Sequence, residues 1–74
     1  MNDLNKSKAK RVHVIKRKYR WAVRKHGASR ASKIYHSKEE AVRGAQKLKG
    51  KGYDLVIHKI DGSIQRWEEA EIST

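Results

Sequence analysis

The residues that could do chemistry are concentrated between positions 16 and 33. Lys16, Arg17, Lys18, Arg20, Arg24, Lys25, Arg30 and Lys33 are cations, with Tyr19, Trp21, Ser29 and Ser32 set between them. Cations spaced along a chain can track phosphates, while interleaved hydroxyls fix register and rings stack on bases. Gly27-Ala28-Ser29-Arg30-Ala31-Ser32 adds a second device. Its glycine permits φ > 0. Free backbone N–H groups, two hydroxyls and a guanidinium can then converge on one anion. The Gly-Lys-Ser/Thr ending of a nucleotide-binding P-loop is missing. Two plainer readings compete with these. The cations could form a solvated charge run, and Arg30 with the serines could satisfy backbone groups in a tight connection.

Other chemistry finds little support. His13, His26, His36 and His58 form no i,i+4 pair and have no cysteine partners, so no metal site is predicted. Glu68, Glu69 and Glu71 lie near the end of the chain without the rigid mounting that metal-assisted hydrolysis requires. No nucleophile has a base at a recognisable spacing. The expectation is a protein without catalytic residues, metal or cofactor.

The net charge of +11 is unevenly placed. Residues 1–37 carry twelve Lys/Arg against Asp3 alone, whereas residues 38–74 balance seven against seven. Such segregation builds a one-sided field that concentrates an anionic partner. At 74 residues the chain makes one domain at most. A chain this small buries only about 60% of the surface its unfolded form exposes, which leaves no room for a deep cavity beside the core. Cysteine is absent, so no disulfide props up the fold and a cytoplasmic setting is expected. No apolar run approaches the length of a membrane span or a signal-peptide core.

Alternation and turn chemistry supply the frame that must hold the basic stretch. Residues 1–10 are expected to be a mobile basic tail, residues 11–68 a single α+β domain, and residues 69–74 an acidic tail. Within residues 11–16, Val12 and Val14 fall on one face and His13 and Ile15 on the other. Within residues 20–25, Trp21 and Val23 oppose Arg20, Ala22 and Arg24. Pairing these segments gives a hairpin with a Val/Trp inner face and an arginine-bearing outer face. Residues 32–36 read as a short third strand, with Ile34 inward and Lys33 and Tyr35 outward. Ser37-Lys38-Glu39-Glu40 is a capping box opening a helix that runs to about Lys49, with Ala41, Val42, Ala45 and Leu48 as its apolar stripe. Residues 53–60 form the most hydrophobic strand, with Leu55 and Ile57 opposed to Val56, His58 and Ile60. Asp61-Gly62 is the strongest hairpin signal. Residues 63–67 return with Ile64 and Arg66 opposed to Gln65 and Trp67. The order is β-β-(β)-α-β-β, an antiparallel-rich sheet with one helix on one face, leaving the face with Arg20 and Arg24 free.

Trp21-x-Val23, Gly27-x-Ser29-Arg30-Ala31-Ser32, Ser37-Lys38-x-Glu40-Ala41, Ala45 and His58-x-x-Asp61-Gly62-x-Ile64 follow one another in an order that resembles a small bacterial and phage family. That family is catalogued only as a domain of unknown function, the twenty-one eighty-eight family. The resemblance covers residues 12–64 and implies a short β-β-α-β-β-type fold with no assigned activity. The chain departs from the family pattern at Lys16-Arg17-Lys18-Tyr19, where a basic specialisation is expected.

These readings converge on a non-enzymatic binder of nucleic acid, double-stranded DNA ahead of RNA, acting through the basic hairpin and the Gly27–Ser32 loop. Two alternatives stand beside it. One is a protein-interaction module, such as a phage-type inhibitor of a host enzyme or a homodimer built on Val56, His58 and Ile60. The other is a sponge for a small phosphorylated nucleotide.

Overall fold

The computed structural model describes residues 10–71, so all but the last residue of the expected basic tail lies outside the described residues. The elements are β1 (Lys10–Arg17), β2 (Arg20–Lys25), β3 (Lys33–Tyr35), α1 (Lys38–Lys49), β4 (Tyr53–His58) and β5 (Ile64–Glu68). They form an α+β domain in which one helix lies on a mostly antiparallel five-stranded sheet of order β3-β2-β1-β4-β5. The exception to antiparallel pairing is central: β1 and β4 run parallel, from Lys10 opposite Tyr53 to Val14 opposite Ile57. The helix sits in the crossover that a parallel pair requires.

Alternation decides which side chains meet the helix. Val12, Val14, Trp21, Val23, Leu55 and Ile57 point to the helix side and join Ala41 and Ala45 in the core. Val42, Leu48, Tyr35 and Tyr53 close over its margins. Ala41 and Ala45 are completely buried, because small residues let a helix lie close to a sheet. In a core of this size, Leu55→Ala removes about 2–5 kcal/mol, much of what holds a small domain together.

The helix begins where its capping residue predicts. The Ser37 Oγ accepts a bond from the Glu40 backbone N–H at 3.2 Å. Glu39 and Glu40 occupy the first turn and Lys47 and Lys49 the last, as the helix dipole favours. Gly44, in mid-helix, receives the Tyr35 ring where a Cβ would otherwise stand. Beyond β5, the Ala70 N–H donates to Asp54 at 2.9 Å and the Glu71 N–H to the Lys49 carbonyl at 2.9 Å, fastening residues 70 and 71 to the domain.

Three sequence expectations are corrected. Ile34 was expected inward, but it pairs with Ala22 on the side away from the helix and is 45% exposed. Lys33 and Tyr35 take the helix side instead, because Tyr35 stands opposite Trp21 and fits against Gly44. The most hydrophobic strand stops at His58, and Ile60 lies in the turn, 73% exposed. The pairing of β4 with β5 slips by one residue, with Ile57 opposite Arg66 and His58 opposite Ile64. This bulge places Ile64 with Trp67 on the helix-free side, rather than with Arg66.

Candidate nucleic-acid interface

Strand register sorts the cations of the first half by kind. The odd positions of β1 and the even positions of β2 face away from the helix, which puts Arg11, Arg17, Arg20 and Arg24 on the helix-free face. The opposite parity carries Lys10, Lys16, Lys25 and Lys33 to the helix side. There they lie over aromatic rings: Lys10 and Lys25 over Tyr53, Lys16 over Trp21 and Lys33 over Tyr35. Of the cations singled out from sequence, the structure therefore brings Arg17, Arg20 and Arg24 together and separates Lys16, Lys25 and Lys33 from them. Lys18 and Tyr19 form the hairpin tip, where Lys18 takes a left-handed φ of 54° and Tyr19 is 90% exposed. A shallow groove at this end is lined by Arg17, Lys18, Tyr19, Arg20 and Ile34.

The Gly27–Ser32 loop adopts the positive φ expected of its glycine, 86° at Gly27. The Ala28 N–H donates to the Lys25 carbonyl at 3.0 Å, and the Ser32 N–H to the Val23 carbonyl at 2.7 Å. Among the described residues, the N–H groups of Ser29, Arg30 and Ala31 have no backbone acceptor. Arg24 fastens the loop by donating from Nη1 to the Ala28 carbonyl at 2.9 Å, while its buried Nε has no partner among the described residues.

Beyond the Arg17–Arg20 pair at the hairpin end, three rows of side chains cross the helix-free face. One runs Ile34, Ala22, Ile15, His58, Ile64. The next carries Arg24, His13, Val56 and Trp67, and the third Arg11 and Asp54. Ala22 and Val56 are fully buried although the helix lies on the other side, so their neighbours on this face close over them. Asp54 is the one carboxylate that the strands place here, and it is occupied. Its carboxylate accepts from the Trp67 indole N–H at 3.2 Å and from the Ala70 N–H. Arg11 lies over the same indole, 5.4 Å from the ring centroid.

The centre of the face holds a chain of three imidazoles. His13 Nδ1 is 2.9 Å from His58 Nε2, and His13 Nε2 is 3.0 Å from His26 Nδ1. The far end fixes the protons. The Gly62 carbonyl, 2.9 Å from His58 Nδ1, can only accept. His58 Nδ1 therefore donates to it, and His58 Nε2 accepts from His13 Nδ1. His13 Nε2 in turn accepts from His26 Nδ1, which leaves His26 Nε2 free. A proton added to His13 must break a bond in the chain. Burial holds His13 down to a pKa of about 4, assisted by the charges of His58, His26, Arg24 and Arg11. The sequence reading set these histidines apart because they share no local spacing. Only the parallel register of β1 on β4 brings His13 and His58 together. Arg11 was also missed, although it shares the parity of His13 and Ile15.

Among the described residues, no group of three or more His, Asp or Glu is arranged to hold a metal ion. No described helix is long and apolar enough to cross a membrane.

The class these features define is a small α+β domain with an arginine-bearing, helix-free sheet face. The chain belongs to the family described as an uncharacterised protein conserved in bacteria, DUF2188, whose model matches residues 12–68. It is 45% identical over 58 residues to the uncharacterised protein YdaT of Bacillus subtilis, a match that takes in 77% of this chain. The chain spans only 39% of that relative's length. No solved structure matches it significantly.

Proposed function

We propose that this domain is a non-enzymatic nucleic-acid-binding protein of the cytoplasm, with the helix-free face and hairpin end as its contact surface. The observation that carries this reading is the gathering of Arg11, Arg17, Arg20 and Arg24 on one face whose single strand-borne carboxylate, Asp54, is already bonded within the fold. A guanidinium offers a planar fork of donors suited to phosphate oxygens. The exposed hairpin tip extends the arginine-bearing surface beyond Arg17 and Arg20.

The test is the salt dependence of binding. If about six phosphates are neutralised, log affinity falls against log salt with a slope near −5. Affinity that holds constant from low to physiological salt overturns the proposal. A second reading, a protein partner or a second copy of this chain, is favoured by the exposure of Ile34, Ile64 and Trp67 on the same face. A nuclease-treated sample that sediments as a dimer, or holds one stoichiometric protein, supports it.

A further inference from the structure

We infer that the helix-free face accepts single-stranded rather than duplex nucleic acid, with bases lying across the sheet and phosphates meeting arginines at its margins. This rests on the nucleic-acid reading and narrows it.

The argument begins with what a duplex presents. Its base faces are hidden by stacking, so a protein that reads only duplex backbone needs cations and polar donors. This face offers something else as well. Trp67, Ile34 and Ile64 are each close to half exposed, 47%, 45% and 51%, and all three share the side that carries the arginines. Apolar surface set among cations suits a ligand that has a flat apolar face and a charged edge at once. An unpaired nucleotide is such a ligand.

The geometry is that of a platform. From Ile34 on β3 to Ile64 on β5 the row crosses four strand spacings, about 19 Å, which holds about two or three bases as other sheet platforms do. The Trp67 ring is already fixed by its bond to Asp54 and by Arg11 against one of its faces, so stacking a base on the other face costs little extra order. Between the terminal cations, the middle of the platform is imidazole and aliphatic apart from Arg24, whose guanidinium is turned to the Ala28 carbonyl, and His13 is held neutral at pH 7. A surface of aromatic rings and aliphatic side chains suits bases. The cationic ends, Arg17 and Arg20 at the hairpin and Arg11 at the other, suit phosphates.

The two tryptophans give the experiment its readout. Trp21 is 7% exposed in the core and Trp67 is on the platform. The full chain is titrated with a labelled twelve-nucleotide oligo-dT, the matching oligo-U, and a twelve-base-pair DNA duplex, following anisotropy and intrinsic emission. The expected result is at least tenfold tighter binding of one single strand than of the duplex, with quenching of tryptophan emission. Trp67→Ala weakens single-strand binding about tenfold and leaves duplex binding and the far-UV spectrum unchanged. Trp67→Phe, which keeps a ring and the local packing, retains most of the affinity but loses the quenching. Duplex binding equal to or tighter than single-strand binding, without quenching, overturns the platform and leaves the nucleic-acid reading standing. Absence of binding to all three probes overturns both.

Discussion

On the helix side of the sheet, Lys10, Lys16, Lys25 and Lys33 lie over the rings of Tyr53, Trp21 and Tyr35, their ammonium groups 5.3–5.6 Å from the centroids. On the helix-free side, the same strands carry Arg11, Arg17, Arg20 and Arg24. Each side carries four of these cations, yet the side chains are suited to different work. A lysine can lay its methylenes on an aromatic margin and keep its ammonium in water, so it shields a core. A guanidinium is less strongly hydrated and presents a rigid fork, so it binds oxyanions and stacks on flat groups. Charge counts from a sequence merge these roles, and strand parity separates them. Arg66 shows the limit of the rule: it lies on the helix side, where it pairs with Glu68 at 2.7 Å.

Reversing charges on each side tests the contrast most severely. Arg17→Glu with Arg20→Glu is expected to weaken nucleic-acid binding about thirtyfold or more with an unchanged circular dichroism spectrum. Lys25→Glu with Lys33→Glu is expected to cost less than about threefold, through the long-range field alone. Equal losses from the two pairs would erase the distinction between the faces.

Histidine protonation should act on the helix-free side of the sheet. The described helix-side core contains no histidine, whereas the other face holds the imidazole chain. His13 has a folded-state pKa of about 4 against an ordinary 6.5, so between those values the unfolded chain binds more protons than the folded one. The stabilisation is complete above pH 6.5 and is lost as the pH falls towards 4. After allowance for solvent screening of a half-buried group, the loss is about 1–2 kcal/mol. Urea unfolding at a series of pH values measures it, and His13→Asn is expected to flatten that part of the profile. A profile unchanged by the substitution would place the acid sensitivity elsewhere.

On the helix side, the sharpest local test is Gly44→Ala. Alanine favours a helix by about 1 kcal/mol over glycine, but here its methyl meets the Tyr35 ring. Overpacking costs about 1–3 kcal/mol, so a net loss of about 1 kcal/mol is expected in thermal unfolding, a penalty that should vanish when Gly44→Ala is compared in a Tyr35→Ala background. The smallest effect belongs to the hairpin tip. Lys18→Asn relieves a left-handed backbone that asparagine tolerates better and should raise stability by about 0.5 kcal/mol. If the tip touches phosphate, affinity falls about threefold at the same time.

Much of the frame could be read from local pattern. The Val12/Val14 and Trp21/Val23 alternation, the Ser37 cap and the Ala41–Leu48 stripe each depend on neighbours close in sequence, and each appears in the fold. The misreadings fall where pairing is decided at a distance. Ile34 was given an inward position because it is apolar, but its orientation follows from its pairing with Ala22 and from the space Gly44 leaves for Tyr35. Ile64 changed sides through a one-residue slip that nothing in its own strand announces. The candidate surface divided in the same way. Arg20 and Arg24 followed from strand parity, whereas Arg17, expected in the turn, proved to be the last residue of β1. The histidine chain did not, because its members come from three separate segments and meet only when β4 docks beside β1.

The parallel seam between β1 and β4 has a consequence for synthesis. On the ribosome, β1 and β2 can form their hairpin early, but one long edge of β1 has no neighbour until Tyr53–His58 has emerged. Until then the nascent chain presents an arginine-rich ribbon with an open margin and no helix over its valines. Closure of such a distant pair is slow compared with local hairpin formation. The second half of the chain, neutral in charge, is therefore what covers the valines of the basic hairpin and closes its open margin.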